Sequence, residues 1–120
     1  MASRILDPNH KIIELVWTGK ETPSDVDAEN HLLKGWIDEL GPHFDLLVDM
    51  RSVVAWSQET KAAVVEHQKF LIERGLRRAS VVVGSAIAKM QLNGVKKVSR
   101  NDREYQWLSY EEALAFLKRA

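Results

Sequence analysis

The sequence predicts an α/β fold with a small, mixed, mainly parallel sheet of about five strands and about four helices. Two apolar runs carry this prediction, FDLLVDM at 44–50 and ASVVVGS at 79–85. The segment between them has helical periodicity and is long enough for the crossover that two parallel strands require. The two runs and the intervening segment therefore predict a βαβ unit, and further strand and helix patterns flank it on both sides.

Length, composition and charge define the class of protein. The 120 residues suit a single domain spanning 1–120. The chain has no Cys, which excludes disulfides, thiolate metal ligands and a Cys nucleophile. Its 17 basic and 17 acidic residues balance, which argues against a nucleic-acid partner. The N-terminus has no long apolar run, so we expect a cytoplasmic protein that is not an integral membrane protein.

The first elements are a hairpin and a long helix. β-rich runs at 5–6 and 11–17 are separated by turn-forming residues at 7–10, which predicts the hairpin. Thr22, followed by Pro23 and Asp25, predicts a helix start that extends to about residue 40. The apolar residues at helical spacing predict one buried stripe, formed by Leu32, Leu33, Trp36, Ile37 and Leu40.

The middle of the chain supplies the βαβ unit. The near-continuous apolar run at 44–50 predicts a central strand with both faces covered. Ser57 is a candidate cap for a helix that ends near Gly75. Residues 79–83 predict the next strand. The buried stripe of this helix is predicted to contain Ala63, Val64, His67 and Leu71, widened by Val65, Phe70 and Ile72.

The last third repeats the alternation of helix and strand. Gly84-Ser85 leads into a helix, and 104–108 predicts a short strand. Ser109, with Glu112 three residues later, predicts a capping box that opens the last helix. The predicted order is therefore β-β-α-β-α-β-α-β-α, with the three later strands parallel through right-handed crossovers. The helix after Ser85 holds the apolar residues Ile87, Met90, Leu92, Val95 and Val98. The last helix is predicted to bury Ala113, Leu114 and Leu117.

The fold predicts where a site would lie. In open α/β sheets, ligands favour the crevice beyond the carboxyl ends of the strands, so the junctions at 51–59 and 84–86 should lie side by side. They offer a guanidinium, two hydroxyls and a large flat indole for contact. The candidate binding residues are Arg51, Trp56, Ser57, Glu59, Gly84 and Ser85. The alternative is that both serines only cap helices and that Arg51 pairs with an acid such as Asp49.

Three segments resemble a known family: FDLLVDMRSVVAWSQET, RGLRRASVVVGS and YQWLSYEEALAFLKRA. They are similar to the STAS domain, the fold of the anti-sigma factor antagonist SpoIIAA. More narrowly, they are similar to the small bacterial SpoIIAA-like proteins, which share a fold with the lipid-carrying CRAL-TRIO domains. The resemblance extends from Ile12 onward, and it implies a regulatory protein that binds another protein.

One position departs from the family's pattern. The antagonists carry a phosphorylatable Ser, within Asp-Ser-Ser-Gly, at the start of the helix after the strand. Aligning the strand ends places 57–60 over this pattern and Glu59 at the phosphoacceptor position. Glu cannot accept phosphate, although it places negative charge at a helix N-terminus as phosphate would. We therefore expect a constitutive or differently controlled binding module, in which Ser57 and Thr60 are phosphoacceptors only if the alignment register differs.

Catalytic motifs are lacking. The four His residues have no metal-ligand spacing, and His67 falls on a buried stripe, as a core histidine does. GxSxG, GxGxxG and P-loop motifs do not occur. Asp49 and Glu59 could form a carboxylate pair, but no pattern indicates a substrate pocket around them. We predict no enzyme activity, no catalytic residues, no metal and no cofactor.

The expected function is a non-catalytic regulatory module that binds another protein through 51–59 and 84–86. The alternative is a small protein that binds a lipid or another apolar ligand. It is favoured by the bulky Trp36, Trp56, Trp107 and Met90 and by the basic segment 74–100, which could attract anionic headgroups. Those cations also suit a solvated helix face. Exposed apolar residues on the last two helices would instead suit a partner or a homodimer.

Overall fold

The computed structural model describes residues 1–119. Within that range the chain forms five strands and four helices in the predicted order. The strands are β1 (Ala2–Asp7), β2 (Ile12–Val16), β3 (Phe44–Met50), β4 (Leu76–Val83) and β5 (Glu104–Trp107). The helices are α1 (Pro23–Leu40), α2 (Gln58–Glu73), α3 (Ala86–Ser99) and α4 (Tyr110–Lys118).

The strands form one mixed sheet in the order β1-β2-β3-β4-β5. β1 is antiparallel to β2, and every other neighbouring pair is parallel. The predicted fold class, the N-terminal hairpin and the central position of β3 are confirmed. β4 begins at Leu76, three residues earlier than predicted, because Arg77 and Arg78 continue the strand although they are charged.

Helix α1 begins as the sequence predicts, but its buried stripe is shifted. The Thr22 hydroxyl accepts a hydrogen bond from the amide of Asp25, whose carboxylate accepts one from the amide of Thr22. The prediction that Leu32 is buried was wrong, because its side chain is 56% exposed. Successive residues are rotated by about 100° around a helix, so Leu33 faces the sheet and Leu32 faces outward. The buried stripe consists of Val26, Glu29, Leu33 and Ile37.

The two faces of the sheet are covered differently. Helices α1, α2 and α3 pack on one face and form a large apolar core with it, in which His67 is buried as predicted. Helix α4 alone packs on the other face, where Ala113 and Leu117 contact the strand residues Ile12, Leu47 and Val82. The sheet therefore has one thick apolar side and one thin side.

The thin side carries the buried carboxylates of Asp45 and Glu14, and each of them is paired. Asp45 is completely buried and accepts hydrogen bonds from Arg77 Nε at 3.0 Å, Arg77 Nη2 at 2.6 Å and Arg78 Nη2 at 2.9 Å. Arg78 Nη2 also donates to the carbonyl of Leu117 at 3.0 Å. The Tyr110 hydroxyl donates to the Glu14 carboxylate. Pairing of this kind is what makes buried charge tolerable in a protein interior.

Among residues 1–119, none of the helices combines the length and the apolar character that a membrane span needs.

Candidate binding surface at the carboxyl end of the sheet

The junctions after β3 and β4 lie side by side, as predicted. β3 and β4 are paired up to their last residues, where Met50 is opposite Val83. A Cβ added at Gly84 would lie 2.5 Å from the carbonyl oxygen of Arg51 and 3.0 Å from its Cα. Only glycine allows this approach, so Gly84 is required for the two junctions to be in contact.

Arg51 is engaged within its own junction. Its Nε and Nη2 donate to the two carboxylate oxygens of Asp49 at 3.0 and 2.7 Å. The guanidinium carbon lies 5.4 Å from the centre of the Tyr110 ring. Hydrogen bonding from the Arg51 side chain lowers the pKa of Asp49. The alternative predicted for Arg51, pairing with Asp49, is the arrangement observed.

The two candidate serines cap helices. The Ser57 hydroxyl accepts from the amide of Thr60 at 3.1 Å, and the Ser85 hydroxyl accepts from the amide of Ala88 at 3.0 Å. Glu59 is exposed in the first turn of α2. The serines are therefore explained by the helix starts, which was the alternative predicted for them.

Trp56 is a core residue, and the prediction that it offers a flat contact surface was wrong. Its side chain is only 7% exposed, and its ring centre lies 5.4 Å from that of Trp17. Its backbone amide donates to Gln91 Oε1 of α3 at 2.8 Å. The loop thus folds inward beneath α3. Val54, two residues earlier, is a large apolar residue that this loop exposes, at 61%.

The second junction borders an open groove of about 360 Å³. One wall is the turn from Val83 to Ala86, which contains the predicted site residues Gly84 and Ser85. Lys89 and the segment 106–108 of β5 and its following loop complete the lining. Leu108 at the rim is 87% exposed.

The outer side of α3 has an apolar flank and a basic flank. Ala88, Leu92, Val95 and Ser99 face the core. Gln91 contacts the 51–57 loop, so the flank that it shares with Ile87 and Val98 faces that loop. Asn93 Oδ1 accepts from Gln106 Nε2 of β5 at 2.8 Å, so the flank with Lys89 and Lys96 faces β5. Met90, which is 67% exposed, points outward.

Together these residues form what we call the α3 surface, defined by Val54, Ile87, Met90, Val98 and Leu108. Within residues 1–119, seven large hydrophobic residues are exposed, and five of them belong to this surface. The other two are Leu32 on α1 and Tyr105 on β5. A signal for the α3 surface is present in the sequence: the apolar residues of α3 recur around more than half of the helix, which is more than one buried face needs.

A small cavity lies beneath α2 and α3, between Trp17, Trp56 and the sheet, with a volume of about 30 Å³. This volume holds a water molecule or two. Ligand pockets in proteins are typically on the order of 300–1,000 Å³. Polar side chains also line the cavity: His67, Gln68, Asn101 and Glu104.

The polar groups at this cavity are held in their neutral or paired states. Burial lowers the pKa of His67 to about 4, and its Nδ1 lies 2.6 Å from Asn30 Oδ1. Burial raises the pKa of Glu104. Gln68 Oε1 accepts from the Ser99 hydroxyl at 2.6 Å. These contacts tie α2 to α1 and to α3.

Among the described residues, no group of three or more His, Asp or Glu side chains is arranged so that it could hold a metal ion. We compared the chain with models of protein families, with curated proteins and with solved structures, and found no match.

Proposed function

We propose that this protein is a non-catalytic regulatory module that binds another protein through the α3 surface. The clustering around α3 of five of the seven large hydrophobic residues that are exposed within residues 1–119 carries this proposal. Exposed apolar residues that cluster on one part of a protein mark an interaction site, whereas single ones need no explanation. The groove beside Leu108 provides the concave part of the same surface.

The resemblance to the SpoIIAA-like proteins supports the same proposal from the sequence. In that family the loop and helix start after the strand carry the phosphorylatable Ser. Here that junction is closed by the Arg51–Asp49 pair and by burial of Trp56. We therefore place the contact one junction further along the sheet, at α3 and the 106–108 segment, with Val54 at its margin. Glu59 supplies a fixed negative charge where the antagonists carry a phosphoacceptor.

The alternative function, a carrier of a lipid or another apolar ligand, has less support. Such a carrier needs an enclosed apolar volume the size of its ligand. The cavity beneath α2 and α3 is about 30 Å³, and polar side chains form part of its lining. An acyl chain would enter only if α2 and α3 separated, and the Gln68–Ser99 hydrogen bond joins these two helices.

Site-specific photo-crosslinking tests the proposed function. A photoreactive amino acid is placed, one position at a time, at Ile87, Val54 or Leu108, and at Leu32 as a matched exposed apolar position on α1. After illumination in the source cells, we expect the three α3-surface positions to capture one and the same protein and position 32 not to capture it. The captured protein is then purified for titration calorimetry.

The titration separates specific binding from adventitious capture. We expect Ile87→Asp to weaken binding of the purified partner at least tenfold, or about 1.4 kcal/mol, and Leu32→Asp to leave it unchanged. Circular dichroism checks that both variants are folded. Capture of different proteins from the three positions, or equal binding by Ile87→Asp, would show that α3 is not the docking surface.

A further inference from the structure

We infer that the element of the partner that contacts α3 is an acidic amphipathic helix, which lies along the α3 surface with its acidic flank toward β5. This inference rests on the proposed function, and it specifies the chemistry of the partner at that site. It follows from the shape of the apolar stripe on α3, from the distribution of charge beside it, and from the residue types that the stripe contains.

The apolar stripe on α3 has the spacing and the shape that a helix fits. Ile87, Met90, Gly94 and Val98 recur every three or four residues, which is the spacing along one side of a helix. A Cβ added at Gly94 would find no atom within 4 Å, so the space above the middle of the stripe is empty. Glycine inside an exposed helix costs about 1 kcal/mol relative to alanine. Its place between larger apolar residues lets another helix approach closely.

The charged residues of α3 all have one sign. α3 contains no Asp or Glu, and it carries Lys89, Lys96 and Lys97, followed by Arg100. Lys89, Lys97 and Arg100 make no ion pair with any residue in the range 1–119, and the neighbouring Asp102 pairs with Arg103. A ligand that lies along the stripe therefore meets uncompensated positive charge on the β5 side, which favours a run of acidic residues there.

The apolar stripe on α3 is a poor match to a membrane. Helices that bind membrane surfaces carry Trp, Phe or Leu on the apolar face. The stripe on α3 consists of Ile, Met, Gly and Val. On the side opposite the basic flank, Gln68 of α2 is bonded to Ser99 of α3, and the half-buried Val65 and Ile72 recur with Gln68 at helical spacing along that flank of α2. An apolar surface with cations along one side suits an amphipathic helix whose apolar face packs on it.

Two synthetic peptides test this inference. Each is a helix of about 18 residues with the same Leu/Ala stripe, and one flank carries either Glu or Lys. Fluorescence anisotropy with the full chain should show the Glu peptide binding with a dissociation constant on the order of 10–100 μM, at least tenfold tighter than the Lys peptide. Added salt should reduce the difference between the two dissociation constants, because salt screens exposed charges.

Two kinds of variant test the inference further. One reverses the charge of two lysines on α3, and the other places a bulky side chain at Gly94 in the middle of the stripe. In the double variant Lys89→Glu and Lys97→Glu, we expect the preference to reverse in favour of the Lys peptide. The matched control is Lys34→Glu on the outer face of α1, which should leave the preference unchanged. Gly94→Leu should weaken binding of the Glu peptide at least tenfold because it fills the empty space above the stripe, while its higher helix propensity keeps α3 folded.

The outcomes separate this inference from the proposed function. Equal binding of both peptides, or no reversal in the double variant, overturns the acidic-helix inference. Binding of wild type to phosphatidylcholine vesicles with about 30% phosphatidylserine, but to neither peptide, assigns the surface to a membrane and also overturns it. A protein captured from position 87 through a segment that is not an acidic helix overturns this inference alone. If the Glu peptide binds but photo-crosslinking captures no protein, the proposed function is contradicted and the acidic-helix inference is not.

Discussion

The junction after β3 and the junction after β4 lie side by side, and each leads through a capping serine into a helix. The first is closed: Arg51 is paired with Asp49, and Trp56 is packed against Trp17. The second opens onto a groove whose rim exposes Leu108. Two junctions with similar polar residues thus differ in where their large apolar side chains point. The difference shows that a capping serine identifies a helix start and that the accessible apolar residues identify the contact surface.

The largest expected effect tests whether the first junction is closed. Trp56→Ala removes a buried indole that contacts Trp17, so it should lower the free energy of unfolding by about 3–5 kcal/mol. Urea denaturation followed by circular dichroism measures this change. Val54→Ala, in the same loop but exposed, is the control and should change stability by less than about 0.5 kcal/mol. Equal effects of the two substitutions would contradict the closed junction.

The second prediction concerns His67, at the cavity that Trp56 also lines. Burial lowers the pKa of His67 from 6.5 to about 4, so between these values the unfolded state binds the proton more readily than the folded state. Stability is therefore fully present above pH 6.5 and should fall by up to about 3 kcal/mol as the pH drops to 4. Urea denaturation at a series of pH values measures it.

His67→Gln serves as the control for this pH dependence, since Gln keeps a polar group near Asn30 but does not titrate. In this variant the decline that begins at pH 6.5 should disappear. Glu104 acts in the opposite direction: its pKa is raised by burial, so it favours the folded state at low pH and loses that contribution as the pH rises. Hydrogen bonds from Thr18 and Gly19 outweigh burial and lower the pKa of Glu21 to about 2, so its stabilisation is lost only at lower pH. If the stability of His67→Gln still declined below pH 6.5 as in wild type, the decline would be due to another titrating group.

The third prediction compares two glycines. Gly84→Ala forces a Cβ against the backbone of Arg51 and should destabilise the protein by about 1–3 kcal/mol. Gly94→Ala introduces a Cβ into open space on α3 and should stabilise it by up to about 1 kcal/mol. Thermal denaturation of both variants is the measurement. The contact between the two junctions would be refuted by a Gly84→Ala protein as stable as wild type.

The smallest expected effect concerns the α3 surface. Ile87→Ser and Leu108→Ser remove exposed apolar groups, so each should change the free energy of unfolding by less than about 0.5 kcal/mol. The same substitutions should reduce partner binding. A large loss of stability in either variant would mean that the side chain belongs to the core, and the distinction between a closed and an open junction would fail.

Much of the fold was predictable from the sequence because its signals are local. All nine helices and strands were predicted from the spacing of apolar residues and from helix-capping residues, including the capping box of Thr22 and Asp25. The inward turn of Trp56 was not predictable, since the 51–57 loop has no regular period that says which apolar residue points to the core. The partners of Asp45 were not predictable either, because Arg77 and Arg78 are more than 30 residues away along the chain.

The sequence predicted the location of the candidate site but only some of its residues. The rule that ligands favour the carboxyl ends of parallel strands locates the edge, and Gly84 and Ser85 line the groove found there. Val54 and Leu108 were missed, because exposure depends on how each loop packs and not on residue type. Ile87 and Met90 were named in α3 without a face being assigned to them.

The buried carboxylate of Asp45 has a consequence for how the chain selects one alignment of β3 with β4. Asp45 is paired with Arg78 at the point where the register of the two strands shifts, after Phe44. Sliding one strand by a single residue would turn Arg78 to the opposite face of the sheet and break its pairing with the buried carboxylate, which would leave the exposed Arg77 as the remaining counterion. Because Arg78 also donates to the carbonyl of Leu117 at the end of α4, the same misalignment would break this contact with the helix. One ionic cluster thus discriminates against misfolded forms of both the sheet and its thin face.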